Sequence, residues 1–265
     1  MKIGFIGCGN MAAAIIKGIT ENNFIAGKDI NVFDINNASL EIANEAYGIT
    51  ICTDEIDVVL RSEIVILAVK PNIIKTVLEK IDSTLEKSSP LLISIAAGKT
   101  LDYIAGCTDT KCRTIRIMPN INAKVGEAIC AYCGNELAAD SDKDVVNKML
   151  SCIGKSLEIE EKSFPLFGVL GGCAPAFSYM FIDALARAGV HNGMKKDEAL
   201  KIAAQTVYGS AKMILESDEH PWKLIDNVCS PGGTTIEGIL SLQSDGFENA
   251  VHNAVNKALD KDKKL

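Results

Sequence analysis

The segment Ile3-Gly4-Phe5-Ile6-Gly7-Cys8-Gly9-Asn10-Met11-Ala12 decides the fold. A short apolar run of strand type enters a G-x-G-x-x-A turn that opens a helical pattern, which is the Rossmann arrangement. Gly7 allows the tight turn, Gly9 lets a pyrophosphate approach the backbone, and Ala12 keeps the helix close to the strand. The helix N-terminus adds partial positive charge. The segment therefore predicts that a dinucleotide binds, the alternative being a glycine-rich turn without a ligand. The predicted cofactor residues are Gly7, Gly9, Asn10 and Met11.

Strand-like runs alternate with helix-like patterns through the first half of the chain. This alternation predicts an α/β fold with a Rossmann-type, doubly wound parallel sheet covered by helices on both faces. The strand-like runs are Ile3–Ile6, Ile30–Phe33, Ile64–Val69, Leu91–Ile95 and Thr114–Met118, of which Arg116 interrupts the last. The helical patterns include Met11–Glu21, Ala38–Tyr47 and Ile73–Ile81.

The second half of the chain is helical in pattern. Long, Ala-rich amphipathic stretches cover Ala174–Ala188, Lys196–Leu215 and Glu248–Leu259, with Asp197 placed like an N-cap and Pro221 marking a break. Their faces are too apolar for a small lone bundle, so we expect burial against a partner subunit. The predicted domains are a Rossmann dinucleotide-binding domain over residues 1–163 and an all-helical dimerisation and substrate-binding domain over residues 164–265.

The composition limits the classes of function. With 265 residues, 48% of them hydrophobic, and a net charge of −7, the chain has the composition of a soluble globular protein and is unsuited to nucleic acid. The first apolar run resembles a strand and not a signal peptide, and no stretch of about 20 apolar residues stands out, so no membrane partner is expected. Nine scattered cysteines indicate reduced thiols and a cytoplasmic location.

Two smaller patterns favour structural roles. Cys130 and Cys133 have C-x-x-C spacing, but no second such pair and no nearby His complete a zinc site, so no metal is expected. The spacing also lacks the setting of a thioredoxin-type motif. His220 precedes Pro221 at a helix end, where we expect it to cap the helix.

Asp34 ends the second strand-like run and bears on the choice of cofactor. A carboxylate at this point accepts hydrogen bonds from the adenosine ribose hydroxyls and repels a 2′-phosphate. No Arg or Lys follows at residues 35–39, so the sequence favours NADH over NADPH. Asn36 and Ser39 could still bind a phosphate without charge, and Asp34 could instead be a solvated loop residue.

A lysine follows a later strand-like run in Ala68-Val69-Lys70-Pro71. Lys70 could face a cofactor phosphate or the substrate, or be a solvated loop lysine, and the sequence does not choose between them.

A second glycine-rich loop, Ser230-Pro231-Gly232-Gly233-Thr234-Thr235, lies between helical segments. Pro231 fixes one φ angle, and the two glycines allow a nest of convergent N–H groups. The helical pattern Ile236–Leu242 follows, so the loop also faces a helix N-terminus. We predict that it holds a carboxylate, with Thr235 donating to a substrate nitrogen or relaying a proton. The alternative is a plain N-cap turn, because Thr before Glu237 is also a cap signal.

Extended beyond this loop, the sequence resembles the pyrroline-5-carboxylate reductase family over essentially the whole chain, in order. In the second half the similar segments are Gly209-Ser210-Ala211-Lys212-Met213, Glu219-His220-Pro221 and Asp226–Glu237, within the run from Pro175 to Gly238. In the first half they are Phe5–Met11, Ala68–Pro71, Ser94–Gly98 and Met118–Asn120.

The resemblance implies an enzyme of the last step of proline biosynthesis, which reduces 1-pyrroline-5-carboxylate to L-proline with NADH or NADPH. It also implies homodimers, which in the family often assemble into decamers. The substrate, a small cyclic imino acid, is expected to bind at Ser230, Gly232, Gly233, Thr234 and Thr235, with Thr235 at the ring nitrogen as the catalytic residue. The further implied cofactor residues are Ala68, Val69, Lys70, Pro71, Ala96, Ala97, Gly98, Pro119 and Asn120.

Two segments depart from the family pattern. Asn120-Ile121-Asn122 stands where the family usually has Asn-Thr-Pro, and Gly171-Gly172-Cys173-Ala174 stands where it has a turn rich in serine and glycine. Hydroxyl groups are therefore missing close to the expected nicotinamide and substrate. Two alternatives remain open: a reductase of a related cyclic imino acid, such as a six-membered ring, and a cofactor-binding paralogue with little catalysis.

Overall fold

One eight-stranded sheet forms the framework of the first part of the chain. The computed structural model describes residues 1–263 and divides into two compact units, Met1–Gly172 and a second unit that begins at Cys173. The domain boundary between residues 163 and 164 stays a prediction. The strands are β1 (Ile3–Ile6), β2 (Ile30–Phe33), β3 (Thr50–Ile51), β4 (Ile64–Leu67), β5 (Leu91–Ser94), β6 (Thr114–Met118), β7 (Ala128–Gly134) and β8 (Gly154–Glu158).

The sheet has the order β3-β2-β1-β4-β5-β6-β7-β8. β1 pairs in parallel with β2 and with β4, so that Ile3 lies opposite Ile30 on one side and Ile64 on the other. The chain winds outward to β3, then crosses to β4 and continues in the other direction, which places the topological switch point between β1 and β4. β7 pairs antiparallel with β6, and β8 pairs parallel with β7. The predicted doubly wound sheet is confirmed, with two reversed strands at one edge.

Helices cover both faces of this sheet. Their bounds are α1 (Asn10–Glu21), α2 (Asn37–Tyr47), α3 (Glu55–Leu60), α4 (Ile74–Ser88), α5 (Leu101–Ala105) and α6 (Asp140–Ser151). On one face, α1 and α6 bury Ile15, Ile19, Val146 and Leu150 against the strands. On the other face, α3 and α4 bury Val58, Leu78 and Leu85. Burial on both faces explains why the central strands are almost entirely apolar.

Arg116 does not break β6, because the fold satisfies its charge. Its side chain is buried, and Nη1 lies 2.9 Å from Oε1 of Glu161. The guanidinium also lies 4.3 Å from the centre of the Phe164 ring. Glu161 accepts a further 2.8 Å hydrogen bond from the backbone N–H of Leu101, at the start of α5. Pairing and hydrogen bonding are what permit a buried charge.

A short helix and a π turn end the first unit, and helices form the second. α7 (Phe164–Phe167) runs into the π turn Gly168–Cys173, and the remaining helices are α8 (Ala174–His191), α9 (Lys196–Glu216), α10 (Pro221–Val228), α11 (Thr234–Ser244) and α12 (Phe247–Asp262). Small side chains let α8 and α9 approach closely, since Ala186, Ala199 and Ala203 are buried together. The predicted helical second part is confirmed.

Two predicted helix caps were wrong in position. Lys195 is the N-cap of α9, and Asp197 lies inside its first turn, where its negative charge suits the helix dipole. His220 is the N-cap of α10 and not a C-terminal cation, because its Nδ1 accepts a 3.3 Å hydrogen bond from the N–H of Trp222. His220 therefore caps a helix as expected, but at the N-terminus of the helix that follows it.

The second unit leaves much apolar surface exposed. Exposed apolar side chains occur on all five of its helices, for example Met180 on α8, Leu215 on α9 and Leu240 on α11. The helical run Glu161–His191 has the length and the hydropathy, 1.5 on average in its most apolar window, that crossing a membrane would need, and only 17% of that window is buried. The expectation that the chain contains no such apolar stretch was therefore wrong.

Candidate active site

The predicted cofactor residues of the first unit follow the carboxyl ends of five strands. β1 is followed by Gly7–Met11, β2 by Asp34, β4 by Ala68–Pro71, β5 by Ala96–Gly98, and β6 by Pro119 and Asn120. Because these five strands are parallel, their carboxyl ends share one edge of the sheet. In open α/β sheets, ligands bind outside this edge at the switch point, here between β1 and β4.

The phosphate turn after β1 has the geometry that its glycines predict. Gly7 has a φ of +105°, and a Cβ on it would lie 2.7 Å from the carbonyl oxygen of Ala68. Gly9 is the N-cap of α1, and a Cβ there would meet no protein atom of the described residues within 4 Å. Gly7 is thus required by the protein itself, whereas the space beside Gly9 is open to a ligand.

The start of α1 offers hydrogen-bond donors to that space. Within residues 1–263, no side chain caps the first turn of α1, and the turn contains no acidic residue. Uncapped N–H groups and the positive end of the helix dipole suit a pyrophosphate. Asn10 is exposed, Met11 is half-buried, and Ala12 is buried against the sheet as its small size predicts. The residues present therefore fit the diphosphate of a dinucleotide.

Asp34 binds the phosphate turn and the turn after β2 at once. Its Oδ2 accepts a 2.6 Å hydrogen bond from the N–H of Cys8, and its Oδ1 accepts a 2.8 Å hydrogen bond from the N–H of Asn36. Both donors are backbone groups, so the carboxylate is held without a counter-charge from either of them. Asn36 in turn is the N-cap of α2, since its side chain accepts from the N–H of Ala38.

Cys8 sits inside the phosphate turn with its thiol turned away from solvent. The side chain is buried, and Sγ lies 3.7 Å from the carbonyl oxygen of Ser39. Burial, and then the negative charge of Asp34, raise the pKa of the Cys8 thiol to about 11. A thiol with such a pKa stays protonated and unreactive at neutral pH.

The residues after β4 and β5 differ in exposure. Lys70 is exposed and Ala68 is half-buried beside Gly7. Ala96 is buried, whereas Ala97 and Gly98 are exposed, and Gly98 has a φ of +72°. The exposed Ala97–Gly98 backbone at the carboxyl edge is available to a ligand, and the structure leaves Lys70 in solvent.

Asn120 follows β6 and is buried, unlike its neighbours. Its Nδ2 donates a 3.0 Å hydrogen bond to the carbonyl oxygen of Gly171, and its Oδ1 accepts a 3.3 Å hydrogen bond from the N–H of Ile129. Pro119 is half-buried and Ile121 is 42% exposed. The two segments that depart from the family pattern, which are 51 positions apart in sequence, are therefore joined directly.

The Ser230–Thr235 loop, in the second unit, is a tight turn followed by a helix N-terminus. The N–H of Gly233 donates a 3.0 Å hydrogen bond to the carbonyl oxygen of Ser230, and Gly232 has a φ of +66°. Pro at the second position and a positive φ at the third are typical of a type II turn. Gly233 is the N-cap of α11, which begins at Thr234, two residues earlier than predicted.

This loop leaves donors available. Over the part of the chain that the structure describes, no side chain caps α11, so the N–H groups of its first turn are open to an anion. Ser230 and Thr234 are exposed, and Thr235 is half-buried. Of the two glycines, only Gly232 uses the left-handed region, and the predicted nest for a carboxylate stays a prediction.

The two cysteines of the C-x-x-C pattern lie in a buried strand. Cys130 and Cys133 lie on β7 and are buried; burial raises the pKa of Cys130 to about 12, and burial together with Glu161 raises that of Cys133 to about 11. Among residues 1–263, no three His, Cys, Asp or Glu side chains form a metal-binding group. The Arg116–Glu161 ion pair and the Asn120–Gly171 hydrogen bond have no local sequence pattern that predicts them.

Comparisons with known proteins agree on one family. Residues 2–98 match the model for coenzyme F420-dependent NADP oxidoreductases, and residues 161–265 match the model for pyrroline-5-carboxylate reductase dimerisation. The chain is 41% identical over 265 residues to pyrroline-5-carboxylate reductase of Escherichia coli (strain K12). The alignment covers 100% of this chain and 98% of that protein.

Solved structures give the same result. A pyrroline-5-carboxylate reductase from Coxiella burnetii aligns with a TM-score of 0.94 at 30% identity, covering 99% of this chain and 97% of that one. The Plasmodium falciparum pyrroline carboxylate reductase with NADP bound aligns with a TM-score of 0.86 at 33% identity. This alignment covers 100% of the present chain and 97% of the Plasmodium chain.

The fold and the phosphate turn, together with the matching family models and relatives, define an oxidoreductase that uses a nicotinamide cofactor. Similarity extends over both units and over the whole length of the relatives. The chain belongs to the pyrroline-5-carboxylate reductase family.

Proposed function

We propose that this chain reduces the C=N bond of 1-pyrroline-5-carboxylate to give L-proline. One observation carries the proposal: an open phosphate turn in the first unit is combined, in one chain, with an uncapped helix N-terminus behind the Ser230–Thr235 turn in the second. The first suits a dinucleotide diphosphate, and the second suits a small carboxylate. The names of full-length relatives support the same reaction.

The cofactor is assigned to the carboxyl edge of the sheet. Gly9, Asn10 and Met11 would bind the diphosphate through the start of α1, and Asp34 would bind the adenosine ribose. The further residues at this edge are Gly7, Ala68, Val69, Lys70, Pro71, Ala96, Ala97, Gly98, Pro119 and Asn120. When bound, the nicotinamide supplies a hydride.

The substrate is assigned to the turn before α11. The backbone N–H groups of Thr234 and Thr235, with the Ser230 hydroxyl, would hold the carboxylate. Gly232 provides the positive φ that shapes the turn, and the N–H of Gly233 closes the turn on the Ser230 carbonyl oxygen. The Thr235 hydroxyl would hydrogen-bond the ring nitrogen. A protonated imine is already electrophilic, so orientation supplies most of the catalysis. The hydride would add with its electron pair to the imine carbon, which becomes C5 of proline; the C=N π electrons would move to nitrogen, and nitrogen would keep its proton.

NADH is the preferred cofactor in this proposal. The Asp34 carboxylate is fixed by two backbone hydrogen bonds at the end of β2, where a 2′-phosphate would meet its charge. Ile35, Asn36 and Asn37 follow, and none of them is cationic. The nearby Plasmodium structure contains NADP, so the preference is a property to be measured on this chain.

The apolar surface of the second unit is assigned to a second copy of this chain. The match to a dimerisation model over residues 161–265 covers the same helices that expose apolar side chains. A homodimer would bury this surface, including the exposed face of Glu161–His191, and dimers could assemble further into a decamer. The proposed location is the cytoplasm. Analytical ultracentrifugation without detergent tests this assignment, since a membrane segment would require detergent to stay in solution.

The test of function is the oxidation of NADH and NADPH, in parallel, with 1-pyrroline-5-carboxylate as substrate and proline as the product detected. Rapid oxidation with stoichiometric proline supports the proposal. The six-membered cyclic imino acid is assayed alongside, because Ile121 replaces a hydroxyl residue of the family pattern and is 42% exposed. Faster turnover of the larger ring would move the assignment to that substrate. Tight cofactor binding without turnover of either imine would overturn the proposal that this chain is a reductase of cyclic imino acids.

A further inference from the structure

The π turn Gly168–Cys173 is the one π-helical segment in residues 1–263. π turns insert an extra residue into a helix, disturb its hydrogen-bond ladder, and often occur at functional sites. Gly171 lies within this turn, and a Cβ on it would come 3.0 Å from the Phe167 ring. The glycine thus allows close packing, and its carbonyl oxygen accepts the hydrogen bond from Asn120.

The Asn120 amide is committed to the protein at both ends. Its side chain is buried, with Nδ2 on the π turn and Oδ1 on the N–H of Ile129, in β7. Each of the two polar atoms of the side chain thus has a backbone partner within the protein. Sequence resemblance places Asn120 among cofactor-binding residues, but the geometry favours an indirect role.

A second contact joins the same two segments. Met118, the last residue of β6, packs with Phe164 and Phe167 in a small apolar cluster. A Cβ on Gly168, the first residue of the π turn, would lie 3.4 Å from the Met118 sulfur. The segment Met118–Asn120 is therefore attached to the π turn at both of its ends, by packing at Met118 and by a hydrogen bond at Asn120.

We propose that Asn120 is a positioning residue: its hydrogen bond to Gly171 fixes the Met118–Asn120 segment against the π turn and so sets the geometry for hydride transfer. The inference rests on the proposed function. Small displacements of a positioning element lower the rate far more than the affinity, by about 10²-fold for an error of about 1 Å.

The experiment compares Asn120→Ala with Asn135→Ala. Asn135 is a matched control, because its amide also bridges backbone segments: Nδ2 donates 2.8 Å to the carbonyl oxygen of Cys112, and Oδ1 accepts from the N–H groups of Thr114 and Ala138. It lies by the opposite end of β6. Both variants lose comparable hydrogen bonds, and we expect both to melt at lower temperature.

Only Asn120→Ala should lower kcat, by about ten- to a hundred-fold, with the Kd for NADH within about threefold of wild type. Hydrogen–deuterium exchange of the amides in Gly168–Cys173 should rise in Asn120→Ala and stay unchanged in Asn135→Ala. If Asn120→Ala fails to fold, Asn120→Asp keeps the acceptor for Ile129, replaces the donor facing Gly171 with a carboxylate oxygen, and should give the same two effects.

An unchanged kcat in a folded Asn120 variant would overturn the inference, as would a large rise in Kd at unchanged kcat, which would make Asn120 a direct cofactor ligand. An equal loss of kcat in Asn135→Ala would show general destabilisation. The exchange measurement needs no substrate, so its result stands apart from the proposed reaction. Wild-type inactivity toward both imines would instead reject the proposed function.

Discussion

The backbone N–H of Cys8 donates a 2.6 Å hydrogen bond to Oδ2 of Asp34, 26 positions along the chain. Cys8 belongs to the turn after β1, and Asp34 follows β2. Because β1 and β2 are parallel neighbours, their carboxyl ends lie side by side and allow this contact. Asp34 therefore stabilises the phosphate turn and, in the proposed complex, also faces the adenosine ribose.

Replacing Asp34 should change the cofactor preference. Asp34→Ser removes the charge that would repel a 2′-phosphate, so the ratio of kcat/KM for NADPH to that for NADH should rise about tenfold or more, equivalent to about 1.4 kcal/mol. Asp29→Ser is the control, because Asp29 precedes β2 at its opposite end and gives the same change in net charge. An unchanged ratio in Asp34→Ser would reject the ribose assignment.

The two glycines of the phosphate turn should respond differently to alanine. Gly7→Ala places a Cβ 2.7 Å from the Ala68 carbonyl oxygen at a φ of +105°, so we expect a loss of stability of about 1–3 kcal/mol or more. Gly9→Ala meets no described protein atom within 4 Å, so its free energy of unfolding should hardly change while NADH affinity falls. Urea titration and cofactor titration separate the two effects. Normal affinity in Gly9→Ala would contradict pyrophosphate binding there.

The Thr235 hydroxyl should contribute to turnover. Thr235→Ala removes the proposed hydrogen bond to the ring nitrogen. We expect kcat to fall about ten- to a hundred-fold, which is the size of effect expected when one hydrogen bond to the transition state is lost. Thr235→Ser restores the hydroxyl and should recover most of the rate. Steady-state assays with saturating NADH measure both variants. Wild-type turnover in Thr235→Ala would remove this residue from the mechanism.

The central strands were predictable because their runs are mostly apolar and β-branched. β1, β2 and β6 have the predicted bounds, although Asn31 and Arg116 interrupt the runs of β2 and β6. β8 was not predicted, because Gly154–Glu158 is polar and largely exposed, with no burial to impose a pattern. β7 was not predicted either, because Ala128–Gly134 is rich in alanine and cysteine and has few of the β-branched and aromatic residues that favour strands.

The features of the candidate site also differ in how well the sequence predicts them. The glycine turns were predictable because each is a contiguous motif whose backbone geometry depends on its own residues. The Asn120–Gly171 bond joins positions 51 apart, so it depends on how the π turn packs and has no local signature. His220 shows the limit of a local rule, because Pro221 begins a helix there and does not end one.

Buried thiols should make the protein less stable in alkali. Burial raises the pKa of Cys8 and Cys52 to about 11 and that of Cys130 to about 12, above the value of 9.0 for a free thiol. Between these values the unfolded chain has lost protons that the folded chain keeps. Stability is therefore fully present below pH 9 and falls as the pH rises through the folded values.

Urea titrations at pH 8, 9.5 and 10.5 measure this loss, which should be on the order of 1–3 kcal/mol per fully buried thiol at the upper limit. Cys130→Ala removes the most buried of these thiols and should make the decline with pH shallower, although the variant starts from lower stability because its core loses a sulfur atom. Cys173→Ala is the control, because Cys173 is exposed. An equal slope in the wild type and in Cys130→Ala would show that the alkaline loss comes from other groups, such as Tyr132, whose pKa burial also raises above its usual value.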